Sequence, residues 1–136
     1  MITTGIILFV AVLVWDIVTD YKKWLKGKAV YHTKEWWLRA ALLFPSVGSF
    51  AAALPVHWIK GCLLSAAMIA FVWWVLFDGI YNLLRGFGWW FNGSKDAAND
   101  GLLDSLLMEL EDWQEALLKI LPASFFIFVY IMILLQ

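Results

Sequence analysis

Ionisable side chains are scarce in the apolar segments of this chain, and those that occur fall at helical spacing. Asp16 and Asp20 are four apart, as are Glu35 and Arg39, and as are Asp78 and Asn82, with Arg85 three residues further on. Residues three or four apart share a helix face, so each set forms one polar stripe. Charges are costly in lipid, and where they occur they face a bundle interior or a wet cavity and pair with one another. One chemistry open to them is metal-assisted. Asp16, Asp20, His32, Glu35 and Asp78 offer enough oxygen and nitrogen ligands for a divalent metal and are the candidate catalytic and metal-ligating residues; the sequence names no cofactor beyond that option. Arg39, Arg85 and nearby lysines would then grip a phosphate. Such a site would belong to an enzyme acting on a lipid or phosphorylated substrate at the inner leaflet, although no ligand spacing here is diagnostic of a metal.

The same residues also make an ion-pair network of Asp16, Arg39, Asp78, Asn82 and Arg85. Arg39 is expected to neutralise Asp16 or Asp78, with Glu35 and Arg85 pairing nearby, because buried ions must be paired or cost several kcal/mol each. Such a network would fix the register of the helices. A lone His32 at a membrane boundary reads most simply as a hydrogen-bonding residue. Intramembrane carboxylates also relay protons, so a proton or ion transport or pore subunit in an oligomer is a further reading, although no internal repeat and no second polar stripe toward the opposite face mark a continuous pathway.

The elements that carry these stripes are membrane helices. Of 136 residues, 63% are hydrophobic and only 15% charged, and the mean hydropathy is +0.78. Soluble domains run to roughly 45–50% apolar and about 25% charged. A formal net charge of -1 gives no basic excess for a nucleic-acid backbone, so that class of partner is excluded. The single cysteine, Cys62, sits among apolar and small residues and reads as a packing residue. The N-terminal apolar stretch has no basic leader or small-residue cleavage site and is expected to be a retained span.

The expected fold is all-α: a four-span transmembrane bundle forming one integral membrane domain, with spans at about 2–26, 34–54, 59–84 and 116–135. Gly27 is the expected C-cap of the first helix, Thr33 the N-cap of the second, and Pro55 its stop, with a kink at Pro45. Small residues Gly48, Ser49 and Ala51 to Ala53 are expected to face Gly61, Ser65, Ala66 and Ala70 in a tight hairpin. Gly86 to Asp100 reads as a loop. A cytoplasmic amphipathic helix is expected at about 101–118, with Leu102, Leu103, Leu106, Leu107, Leu110, Trp113, Leu117 and Leu118 on one face and Asp104, Glu109, Glu111, Asp112 and Glu115 largely elsewhere.

Lys22, Lys23, Lys26, Lys28 and Lys34 crowd the first loop, and Lys95 and Lys119 join from the second, whereas Lys60 lies opposite. The positive-inside rule makes the crowded side cytoplasmic, with both termini outside an inner membrane. Asp16, Arg39 and Asp78 then lie about two turns, or roughly 9–15 Å, inside that boundary. Trp15, Trp24, Trp36, Trp37, Trp89 and Trp90 cluster near the same boundary and Trp58 near the other, the pattern of an interfacial aromatic belt. The acidic helix and basic loop are the expected contact surfaces for a protein partner or a second copy, beside the bilayer itself.

The run from Phe77 to Gly86, with Trp89, Trp90 and Asn92-Gly93-Ser94, resembles a stretch in small multi-span proteins of phages and mobile elements, as does the region from Asp16 to Arg39. The resemblance implies a genomic setting and no activity. Asp78-Gly79 with Arg85, Gly93, Asp96 and Asp100 also resembles the two-metal motif of CDP-alcohol phosphotransferases. Val75 stands where that motif needs an aspartate, however, Asn82-Leu83 where it needs Ala-Arg, and the Gly93 to Asp96 spacing is one residue short, so a primary metal ligand is missing and the likeness is coincidental.

Overall fold

The computed structural model describes residues 1–27, 32–90 and 110–136, of which 32–36 and 112 are described by their backbone alone. Four helices account for nearly all of them: α1 Ile2–Leu25, α2 His32–Ala51, α3 Trp58–Leu84 and α4 Asp112–Leu134. The protein is all-α. Three of these helices, α1, α3 and α4, are long and apolar enough to cross a membrane.

Local chemistry sets most of the ends. Lys26 caps α1 and Gly27 follows at φ 62°, the left-handed position a glycine tolerates, with Lys22 and Lys23 in the last turn. Helix α2 begins at His32, so Thr33 lies inside its first turn rather than capping it. It ends at Ala51, three residues short of expectation. Ala53 and Leu54 donate to the carbonyls of Phe50 and Ala51, closing a tight turn. Pro55 bars helical geometry at Leu54, and the chain leaves the helix before reaching it.

At the far end of α3, Gly86 stands at φ 83°. Its N–H donates to Leu83 O and that of Phe87 to Asn82 O, the paired bonds of a Schellman turn that folds the chain back on itself. Helix α4 runs unbroken through Pro122, as α2 does through Pro45. Trp113, Leu117 and Leu118, expected on a separate amphipathic helix, are therefore in the first turns of the last helix. The rest of that expected helix, 101–109, lies outside the described residues, as does the loop beyond 90.

The helices pack in antiparallel succession. A Cβ on Gly5 of α1 would meet Phe50 and Ser49 of α2 at 3.1–3.2 Å, while Arg39 of α2 reaches Asp16 of α1. A Cβ on Gly61 of α3 would lie 3.2 Å from the Ala51 carbonyl. Phe71 of α3 stacks on Phe126 of α4, and Tyr130 of α4 donates a 2.9 Å hydrogen bond to the Phe50 carbonyl. The core is built from Phe9, Leu13, Ile17, Phe50, Leu54, Met68, Ile69, Phe77, Tyr81 and Tyr130.

Only part of the expected small-residue hairpin is present. Gly61, Ala51 and Ser65 are interior, but Gly48, Ala66 and Ala70 are exposed, and Ser49 packs toward α1. The helices are rotated so that Met68 and Ile69, rather than Ala66 and Ala70, fill the space beyond Ser65.

Candidate functional site

On α1 the buried stripe runs Gly5, Phe9, Leu13, Asp16, Ile17, Asp20, so the face that packs the core changes from apolar to acidic without changing direction. Two turns into α2, Arg39 lies against it. Its Nε is 3.0 Å from Asp16 Oδ1, to which it donates, and 2.9 Å from Oδ2. Its Nη2 donates to Asp20 Oδ2 at 2.7 Å. Lys23 donates to the other oxygen of Asp20 at 3.2 Å. Asp16, Asp20 and Arg39 are 1%, 0% and 5% exposed.

Two carboxylates thus meet a guanidinium and an ammonium, and formal charge cancels. Helix α3 completes the enclosure: the guanidinium carbon is 5.5 Å from the Trp73 ring centre and 5.4 Å from that of Phe77, two rings stacked on each other. One side chain therefore ties three helices together at one level. Carboxylates engaged this closely by arginine are acceptors already in use, which suits registration better than proton abstraction.

A second ionic cluster joins α3 to α4. Lys119 Nζ donates to Asp78 Oδ2 at 2.6 Å and also to Glu115, and stands 5.0 Å from the Trp74 ring centre. Glu115 and Lys119 are buried, correcting their placement on a polar helix face and in a basic loop. Asp78 is consequently a partner of Lys119, not of Arg39. A signal for this existed: Glu precedes Lys by four residues, a favourable helical pairing. What sequence could not supply was the direction in which that pair points.

Arg85 stands apart from both clusters. It caps α3, and its guanidinium carbon lies 5.6 Å from the ring centre of Trp24, 5.2 Å from Tyr81 and 5.0 Å from Phe87. Its Nε is buried and finds no acceptor among the described residues. The Schellman turn at Gly86 brings Phe87 onto it. The same turn lays Trp89 across α3: Asn82 Nδ2 donates to the Trp89 carbonyl at 3.3 Å, and a Cβ on Gly79 would fall inside the Trp89 indole. Gly79 is therefore glycine for steric reasons, and Asn82 ties down the turn.

Of the expected site residues, the fold brings Asp16, Asp20 and Arg39 together, sends Asp78 to Lys119, and sets Arg85 among rings. The side chains of His32 and Glu35 lie outside the described residues. Among those described, no three His, Cys, Asp or Glu side chains converge as a metal site would require. Counted from the ends of their helices, Asp16, Arg39, Asp78 and Lys119 all lie about 9–14 Å in, at one end of the bundle.

No family model, no curated protein and no solved structure matches this chain. Its likeness to phage and mobile-element proteins stays a resemblance of short stretches. What the composition and the three apolar helices do establish is the coarse class: a small helical protein suited to a membrane.

Proposed function

We propose that the chain is a multi-pass inner-membrane protein of structural or interaction role, whose buried ion pairs lock the register of its helices. The observation that carries this reading is Arg39, almost fully buried and bonded to Asp16 and Asp20 at once. Buried ion pairs are weak contributors to stability compared with apolar packing, and their best-attested use is to specify one arrangement over others.

In this reading α2 crosses the bilayer with the other three helices. Its outward residues Trp37, Leu38 and Phe44 are exposed and apolar, which suits lipid. The lysine-rich end faces the cytoplasm and both termini face out. Continuous α2 and α4 then each carry a proline inside the membrane, where neighbouring helices must shield the carbonyl it frees. A protein partner or a second copy would meet the outward faces or the acidic segment before α4.

The test combines metal analysis with substitution. The purified protein is expected to be free of stoichiometric Zn, Mn or Mg and insensitive to chelators. Asp16→Asn with Asp20→Asn should loosen or misregister the bundle, read as lost resistance to unfolding in detergent. A metal bound one to one, or a double variant that stays fully folded, would sink this reading in favour of a metal-dependent enzyme at the inner leaflet.

A further inference from the structure

We propose that Arg85 and its aromatic surround form a binding site for a phosphate-bearing anion, supplied by the headgroup of an anionic lipid at the inner boundary of the membrane. The first support is charge. The other buried or half-buried cations described at this end of the bundle have carboxylates: Arg39 has Asp16 and Asp20, Lys23 has Asp20, and Lys119 has Asp78 and Glu115, whereas Lys22 and Lys26 are exposed. Arg85 makes no ion pair among the described residues, and its buried Nε lacks an acceptor. A buried donor without a partner is costly, and a guanidinium fork fits a phosphate in two-point fashion.

The second support is construction. Trp24 from α1, Tyr81 from α3 and Phe87 from the turn beyond it surround the guanidinium at 5.0–5.6 Å. Rings hold the cation in place without neutralising it, so the side chain is ordered before any ligand arrives. The Schellman bonds at Gly86 and Phe87 exist only because the turn has that shape, which makes the third wall part of the fold.

The third support is location. Arg85 sits at the very end of α3, beside the last turn of α1 with its Lys22 and Lys23, and Lys26 follows as the cap of α1. This is the boundary where basic pockets between membrane helices meet lipid headgroups. Trp24, Leu83 and Phe87 are exposed around it, apolar surface that acyl chains would cover.

The experiment reconstitutes the full chain in nanodiscs of phosphatidylcholine alone or with phosphatidylglycerol. Lipid retained on release is counted by native mass spectrometry, with thermal unfolding measured in parallel in mild detergent. Wild type should retain phosphatidylglycerol over phosphatidylcholine and be stabilised by it, while inorganic phosphate at matched concentration should not protect. Arg85→Gln should weaken the preference about tenfold, Arg85→Lys should restore part of it, and Lys60→Gln, at the opposite end, should leave it unchanged.

Absence of any preference in wild type, an undiminished preference in Arg85→Gln, or equal protection by inorganic phosphate would each overturn the lipid assignment. The wild-type arm decides even where a variant folds poorly. The site rests on the bilayer placement proposed above, and the two fail differently: a chain that leaves membranes without detergent would sink that placement, whereas an integral protein indifferent to headgroup would sink only the site.

Discussion

Two arginines at the same end of the bundle have opposite surroundings. Arg39 lies about 10 Å inside its helix end, with two carboxylates from α1 in direct contact and two rings of α3 beside it. Arg85 lies at a helix end, with three rings around it and no carboxylate among the described residues. Both are aromatic-walled. The difference is the source of the countercharge, and depth decides it. Deep in a bundle the protein must supply its own anions, since nothing else reaches there at tolerable cost. At the boundary, water and lipid headgroups can do so.

That contrast can be broken most forcefully at Arg39. Replacing it with Gln should leave Asp16 and Asp20 buried without their main partner and destabilise the protein by about 3–5 kcal/mol, read from unfolding in mixed detergent. A variant within about 1 kcal/mol of wild type would mean that water already reaches the site.

Lys119→Met should come next, at about 2–4 kcal/mol, because it removes the ammonium that the buried Glu115 shares with Asp78, while Asp78 keeps some access to the surroundings. A smaller loss than at Arg39 would extend the depth rule to a second cluster; an equal or larger one would limit it.

Gly79→Ala acts on the shallow side. The added methyl evicts the Trp89 indole from α3, and overpacking of this kind costs about 1–3 kcal/mol. Limited proteolysis should then cut faster between Gly86 and Trp90, since the turn that walls Arg85 has lost its anchor. Unchanged cleavage would show that the Schellman bonds alone hold it.

The smallest effect belongs to Arg85→Gln in zwitterionic detergent, within about 0.5–1 kcal/mol. A loss as large as that of Arg39→Gln would erase the contrast between the two arginines.

Particular residues show what is legible in the sequence. The carboxylate stripe on α1 and its arginine partner were readable because helical spacing is local and buried charge demands pairing. Pairing rules allow Arg39 either Asp16 or Asp78, and they do not foresee Asp20 on the same guanidinium. Lys119 reads as a cation of the second loop because its apolar neighbours Leu117, Leu118, Ile120 and Leu121 suit a surface-docked helix as well as a bundle interior. Periodicity gives a stripe its width but not the direction it faces. The aromatic surround of Arg85 was invisible for another reason: Trp24, Tyr81 and Phe87 come from different places in the chain and meet only through a turn and a helix contact.

Sequence by itself determined the all-α class, the apolar spans of α1, α3 and α4, the left-handed glycine that follows α1, and the gathering of charge at one end. Each depends on backbone bonds or transfer costs counted within a single segment, so no other segment need be known. Tertiary structure alone decided which cation meets which carboxylate, that Glu115 and Lys119 point inward, and that α4 runs unbroken through Pro122. Those outcomes depend on rotation and register between helices, and a one-residue change in either turns a helix by about 100° and redirects every side chain on it.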